Sequence, residues 1–231
     1  QALLDAARAA PGRRPAAIRS PELTETLRAM PADSLPFDVP DGVVDPRRFF
    51  EALEAAMPAD YHLVSGSAHQ AYWHTAMRGS PGGNYHAIRA FGAIGNALSF
   101  ATGVAAARGD GKVVLSEGDG GLLMHIQEFE TLAREKIKLL VICINDGAFG
   151  AEVHKLRAEG VDEGGAVFGA TDLAPVARAF GLGAATITST DQVAGLMEQF
   201  EESEVAWLWD VRVSDRQLSP KMRAELAARH G

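Results

Sequence analysis

Apolar positions follow two different periods along this chain. Val113, Val114 and Leu115 run together and stop at Glu117-Gly118-Asp119-Gly120-Gly121. From there Leu122, Leu123, Ile126, Phe129, Leu132 and Ala133 recur at helical spacing. A second, almost wholly apolar run from Leu139 to Ile144 ends at Asn145-Asp146-Gly147 and reads as a strand buried on both faces. Strand, glycine turn, amphipathic helix and strand predict a βαβ unit with a right-handed crossover.

The same patterning extends both ways. Asp45 and Pro46 open a helix whose apolar face is Phe49, Phe50, Leu53 and Met57. A short strand, Tyr61 to Val64, runs into the small residues Ser65-Gly66-Ser67-Ala68, and a later helix ends at Arg108. After Gly150 a helix to Arg157 leads into a glycine- and acid-rich loop, 159–165, expected to be a mobile lid near a site. Asp172 is expected to cap a helix over 173–180, followed by a strand over 184–188, a helix over 191–200, a strand over 206–213 and a polar helix over 219–230. Ala-rich helical pieces are expected at 2–10 and 21–29, and Pro31, Pro36 and Pro40 mark an extended linker. Alternating strands and helices predict an α/β class: a doubly wound, mainly parallel sheet flanked by helices.

Composition narrows the function classes. Of 231 residues, 47% are hydrophobic and 23% charged, as in ordinary soluble domains. A net charge of −8 argues against a general nucleic-acid binder. The single cysteine, Cys143, falls in a predicted buried strand, so no disulfide framework is expected and a cytoplasmic setting fits. No run reaches transmembrane length, Gln1-Ala2-Leu3-Leu4 lacks the basic start of a signal peptide, and the absence of an initial Met suggests a fragment of something longer.

The carboxylates fall where chemistry is expected. Asp119 and Asp146 each follow the carboxyl end of a predicted parallel strand, the edge at which open α/β sheets bind ligands. Gly118, Gly120 and Gly121 leave the backbone free to take positive φ and to approach a ligand closely. The helix beginning near Leu122 turns an anion-binding N-terminus to the same place. Carboxylates beside a phosphate cradle repel the anion unless a cation lies between them, and Mg²⁺ is the economical choice.

Gly118-Asp119-Gly120, then the 24 residues 121–144, then Asn145-Asp146 resembles the signature of thiamin-diphosphate-dependent enzymes, and the wording around it is similar to the acetolactate synthase and pyruvate oxidase branch, with pyruvate decarboxylase as kin. The resemblance implies the thiamin-diphosphate-binding fold, with thiamin diphosphate and Mg²⁺ as cofactors. It implies a metal held by Asp119, Asp146 and the Ala148 carbonyl, with Gly118, Gly120, Gly121 and Phe149 around the diphosphate. Asp146 stands where the family usually has Asn, and Asn145 is expected to set the turn. The loop Ser67-Ala68-His69-Gln70 matches a diphosphate-facing loop at His69 and Gln70, with Ser67 among the cofactor contacts and Ala68 replacing a polar residue. Gly92 and Ile94 match a motif whose bulky residue wedges between the cofactor rings, and Ser99 stands where proline is usual.

No catalytic side chain is expected in this chain. The glutamate that activates the cofactor is expected from a pyrimidine-binding domain, in the same longer chain or a partner subunit. Glu128 reads as structural, and His125 and His154 as packing or surface groups. The expected organisation is a remnant of a preceding domain at 1–30, a linker at 31–42, the diphosphate-binding domain at 43–215 and a helical tail at 216–231. Three readings stand: part of an acetolactate-synthase-like carboligase or 2-oxoacid decarboxylase, one subunit of a split decarboxylase, or a catalytically silent interaction module. A homodimer or tetramer acting on a small 2-oxoacid is expected, with neither nucleic acid nor membrane as partner.

Overall fold

The computed structural model describes residues 20–29, 33, 35–74, 77 and 84–230. The chain divides into two compact units, Gln1–Ser34 and Leu35–Gly231. The first contains α1 (Pro21–Ala29), whose Leu23 amide donates to the Ser20 hydroxyl at 3.1 Å. The helix expected at 2–10 lies outside the described residues.

The second unit is built on six strands: β1 (His62–Ser65), β2 (Tyr85–Ala87), β3 (Val113–Gly118), β4 (Leu140–Asn145), β5 (Gly183–Ile187) and β6 (Trp207–Arg212). Their order is β2-β1-β3-β4-β6-β5, and every pairing is parallel. The predicted α/β class is the observed one. Strand β2 has no counterpart in the apolar pattern, because three residues at a sheet edge are too few to show a period.

Side chains on a strand alternate between faces, and β4 shows it. Leu140, Ile142 and Ile144 join one core with Phe49, Phe50 and Leu53 of α2 (Pro46–Ala56). Val141 and Cys143 join a second core on the other face, with Leu98 and Ala101 of α4 (Ala97–Arg108). Between these two helices lies α3 (Gln70–Trp73), which follows β1. Asp45 caps α2 as expected, accepting from the Arg47 amide at 2.9 Å.

Two local expectations need correction. The helix expected from Leu122 to Ala133 is two helices, α5 (Asp119–Leu123) and α6 (Glu128–Arg134). The break falls where His125 turns back to Glu117, Nε2 to Oε2 at 2.9 Å, with both side chains buried. Helix α7 is Gly150–Ala158, and α8 is Leu173–Ala179. Asp172 makes no side-chain capping bond to α8; the Leu173 amide donates instead to Asp210 on β6, at 3.0 Å. Helices α9 (Gln192–Glu202) and α10 (Pro220–His230) complete the unit. Among the described residues no helix is long and apolar enough to cross a membrane.

The strand order places the site. From β1 the chain moves outward to β2 and then returns to the other side of β1 as β3. Neighbouring loops diverge at such a reversal and leave a crevice at the carboxyl ends. Gly118 pairs with Ile144, so the turns after β3 and β4 also lie side by side.

Candidate functional site

A cleft with about 670 Å³ of non-atom space, partly open to solvent, lies at this edge. Its walls come from the loop after β1, the Gly118–Gly121 turn, the turn after β4, the start of α7 and the segment after β6. Of the twelve positions expected to meet a cofactor, only Gly92 is not in these walls. Gly92 is exposed on a 3₁₀ turn, Ala90–Gly92.

Asp119 is buried at the head of α5, with Oδ1 accepting the Gly120 amide at 2.9 Å and Oδ2 the Gly147 amide at 2.8 Å. Asp146 accepts the Ala148 amide at 3.2 Å through Oδ1. Burial pushes the Asp119 carboxyl up to about 7, against these hydrogen bonds. Asp146 is also raised well above the carboxylate range, by burial first and then by Asp119. Two carboxyls that resist ionisation side by side are a site whose charge a cation would compensate. Among the described residues no three His, Cys, Asp or Glu side chains converge on a metal position.

The glycines of this edge act differently from expectation. None of Gly118, Gly120 and Gly121 has positive φ; at this edge that conformation falls at Gly147, φ +70. What Gly120 and Gly121 supply is space. A Cβ on Gly120 would lie 2.6 Å from Cε1 of Phe149, and one on Gly121 2.8 Å from Oε1 of Glu117. Gly150, opening α7, would place a Cβ 2.2 Å from Oδ2 of Asp146. Helix α5 has only five residues, so its contribution is backbone amides rather than a long dipole.

The loop after β1 brings His69 and Gln70 to the same cleft, both buried. The Ser219 amide donates to His69 Nε2 at 3.2 Å, which leaves Nδ1 as the protonated nitrogen of the neutral ring. Burial, helped by His154, depresses His69 to about 3, so the ring stays neutral near pH 7. Gln70 accepts the Ala71 amide through Oε1 at 2.7 Å, while its buried Nε2 has no partner among the described residues. A buried donor without a partner is costly, and a ligand oxygen in the cleft would satisfy it. Ser67 donates to the Ile88 carbonyl at 3.1 Å. Ala68 holds φ +93, a strained conformation of the kind that clusters at ligand sites. Ile94 is half-buried and belongs to neither large core; it faces the cleft.

Several wall residues have no signal in the sequence. Ser214 and Gln217 arrive from the segment after β6, where Gln217 Nε2 donates to Asp45 Oδ1 at 3.0 Å. Glu152, in the first turn of α7, brings a further carboxylate, ion-paired to Lys155 at 2.8 Å. Loop 159–165, expected as a mobile lid, is not among the wall residues; Arg157 bonds Glu163 at 2.7 Å. His125 and His154 are both buried and not among the wall residues, His125 bonded to Glu117 and His154 edge-on to His69, and Glu128 accepts from the Thr131 hydroxyl at 2.9 Å.

The residues present fit a magnesium–diphosphate group on two counts: the adjoining carboxylates of buried Asp119 and half-buried Asp146, and the unpartnered Gln70 amide. Solved structures share the fold. A thiamine diphosphate-dependent 4-hydroxybenzoylformate decarboxylase from Rhodococcus jostii RHA1 superposes with a TM-score of 0.70 at 22% identity, over 80% of this chain and 35% of that one. Benzoylformate decarboxylase from Polynucleobacter necessarius gives 0.70 at 18% identity, over 80% and 36%. In sequence, the acetolactate synthase of Bacillus subtilis is 31% identical over 125 residues, 52% of this chain and 21% of that protein. The large subunit of Escherichia coli acetolactate synthase isozyme 1 is 34% identical over 113 residues, 46% and 20%. The chain thus spans about a fifth of the length of these relatives. The family model for the C-terminal TPP binding domain of thiamine pyrophosphate enzymes matches residues 66–211, from the loop after β1 to the end of β6. That span holds both carboxylate-bearing turns, and the chain belongs to the thiamine pyrophosphate enzyme family, through its C-terminal TPP-binding domain.

Proposed function

We propose that this chain holds the diphosphate of thiamin diphosphate through Mg²⁺, as the cofactor-binding part of an acetolactate-synthase-like carboligase or a 2-oxoacid decarboxylase. The observation that carries the reading is the bond from the Gly147 amide to Asp119, which sets Asp119 and Asp146 on adjoining turns in one cleft. Asp119, Asp146 and the Ala148 carbonyl would hold the metal. Gln70, His69 and the backbone of Gly118–Gly121 would bind and orient the diphosphate, with Ile94 setting the bend between the cofactor rings.

Bound there, thiamin diphosphate supplies the electron sink for breaking or making a bond beside a carbonyl. The chain's own residues bind, orient and shield. Activation calls for a glutamate from a pyrimidine-binding domain, elsewhere in a longer chain or on a partner subunit. One feature supports such a neighbour. Phe91, three residues before Ile94, is fully exposed at 104% and held at φ +64. An exposed aromatic kept in a strained conformation beside a cofactor site suits an interface anchor. A homodimer or tetramer and a small 2-oxoacid substrate complete the proposal, with boundaries at 30, 42 and 215 for the preceding remnant, linker, cofactor domain and tail.

Calorimetric titration of thiamin diphosphate into the chain, first with Mg²⁺ and then with EDTA, tests the reading. Magnesium-dependent heat is expected, weak because two domains share the cofactor. No heat, even with a pyrimidine-binding partner added, would instead support a silent interaction module.

A further inference from the structure

Asp210 is out of place by pattern. It lies inside β6 between Trp209 and Val211, 0% exposed, where a core residue is expected. A buried carboxylate is tolerated only when its oxygens are fully engaged. Oδ1 accepts Asn145 Nδ2 at 2.8 Å and Oδ2 accepts the Leu173 amide at 3.0 Å, while the Arg212 guanidinium forms an ion pair with Oδ2 at 2.8 Å.

Asn145 passes this anchoring on. Its Nδ2 also donates to the Thr171 carbonyl at 2.9 Å, and its own carbonyl accepts the Val213 amide at 3.1 Å. The next residues are the turn that carries Asp146. Within it, the Gly147 amide reaches Asp119, and the Gly147 carbonyl accepts the amides of Phe168 and Gly169 at 3.0 and 2.8 Å. One buried carboxylate on β6 therefore ties β4, the turn after it, the 168–173 segment and the start of α8 into a single unit.

We infer that Asp210 is a positioning residue for the metal–diphosphate site: through Asn145 it holds the 145–148 turn so that Asp146 and the Gly147 amide face Asp119. This inference rests on the proposed function. The bland reading is that Asp210 only caps α8 and staples the sheet edge. The two differ in one respect. A staple governs how much heat the fold withstands, whereas a positioning residue governs how tightly the folded protein holds the metal.

The test uses Asp210→Asn and Asn145→Ala, with Mn²⁺ as the metal and electron paramagnetic resonance to count free ion in excess thiamin diphosphate. Each protein is measured well below its own melting temperature, with near-ultraviolet circular dichroism to confirm the fold. Both variants should bind Mn²⁺ about 10- to 100-fold more weakly than wild type, as for other partners that orient metal ligands. Asp210→Asn keeps one acceptor but must turn an amide toward a donor, so it loses stability as well. If it does not fold, Asn145→Ala decides. Wild-type affinity in the folded variants, even with lowered melting temperatures, would overturn the inference while leaving the functional reading intact. Absence of Mn²⁺ binding by wild type, even with a pyrimidine-binding partner added, would overturn the functional reading itself, and this inference with it.

Discussion

The carboxylate of Asp119 accepts the amide of Gly147 at 2.8 Å, so the turns after β3 and β4 are joined by the side chain expected to bind the metal. Asp119→Ala removes that link, the acceptor for the Gly120 amide and the metal ligand together. Each amide left without a partner costs roughly 1–3 kcal/mol if it stays dry, and Gly120 lines the cleft, where water can replace the carboxylate. The fold should persist and magnesium-dependent thiamin diphosphate binding should vanish. Calorimetry decides: retained magnesium-dependent heat in this variant would sink the site assignment.

Asp146→Asn tests the departure from the family pattern. Burial and the neighbouring Asp119 hold the Asp146 carboxyl well above its ordinary range, so the folded protein carries a group that resists its own charge. An amide removes that conflict and the repulsion toward diphosphate while keeping an oxygen for the metal. Cofactor affinity in the presence of Mg²⁺ should be kept or improved. A severe loss in the same titration would mean that Asp146 has another role.

Gly147→Ala should be among the most damaging single-methyl changes at this edge. Its φ is +70, and a Cβ would lie 2.6 Å from the Ala170 nitrogen, a backbone atom that cannot rotate away. Left-handed conformation alone costs an L-residue about 1–2 kcal/mol, and the clash adds to it. At roughly 2–4 °C per kcal/mol for a domain of this size, the melting temperature should fall by several degrees. An unchanged melt would show that the turn can relax.

Acid stability should depend on His74. The ring is buried against Phe50, with Nδ1 facing the Tyr85 hydroxyl at 3.3 Å. Burial first, then the charge of Arg89, lowers it from an ordinary 6.5 to about 3. The unfolded chain takes a proton near 6.5 and the folded chain does not. The stabilisation is therefore complete above 6.5 and is lost as pH falls toward 3, by up to about 1.4 kcal/mol per pH unit. His69, lowered likewise, adds to the same limb. Chemical denaturation of His74→Gln between pH 7 and 4 should give a shallower acid slope than wild type, and an identical slope would exclude His74 as a cause.

Phe91→Gly should leave the melting temperature of this chain unchanged or raise it. The fully exposed ring buries nothing here, and its φ of +64 suits glycine better. A drop of several degrees in thermal melting would show that the ring packs within the chain, and would remove the reason to see it as an interface anchor.

Much of this protein is written in short stretches. The βαβ periodicity from Val113 to Asn145, the cap at Asp45 and the acidic turns after two parallel strands depend on neighbours within a turn or two, and the structure agrees with them. Because β3 and β4 are parallel and adjacent, the two carboxylate turns meet without further information. What only tertiary structure decided depends on residues far apart in the chain. His69 takes its tautomer from Ser219, 150 residues away, and Asn145 takes its orientation from Asp210, 65 residues away. The cap of α8 comes from β6 rather than from Asp172, the long helix breaks because His125 is drawn to Glu117, and Gly92 stays outside the cleft. Periodicity reports which face of an element is buried. It carries no record of which distant polar atom will complete a hydrogen bond, and in a dry interior that completion orients the site.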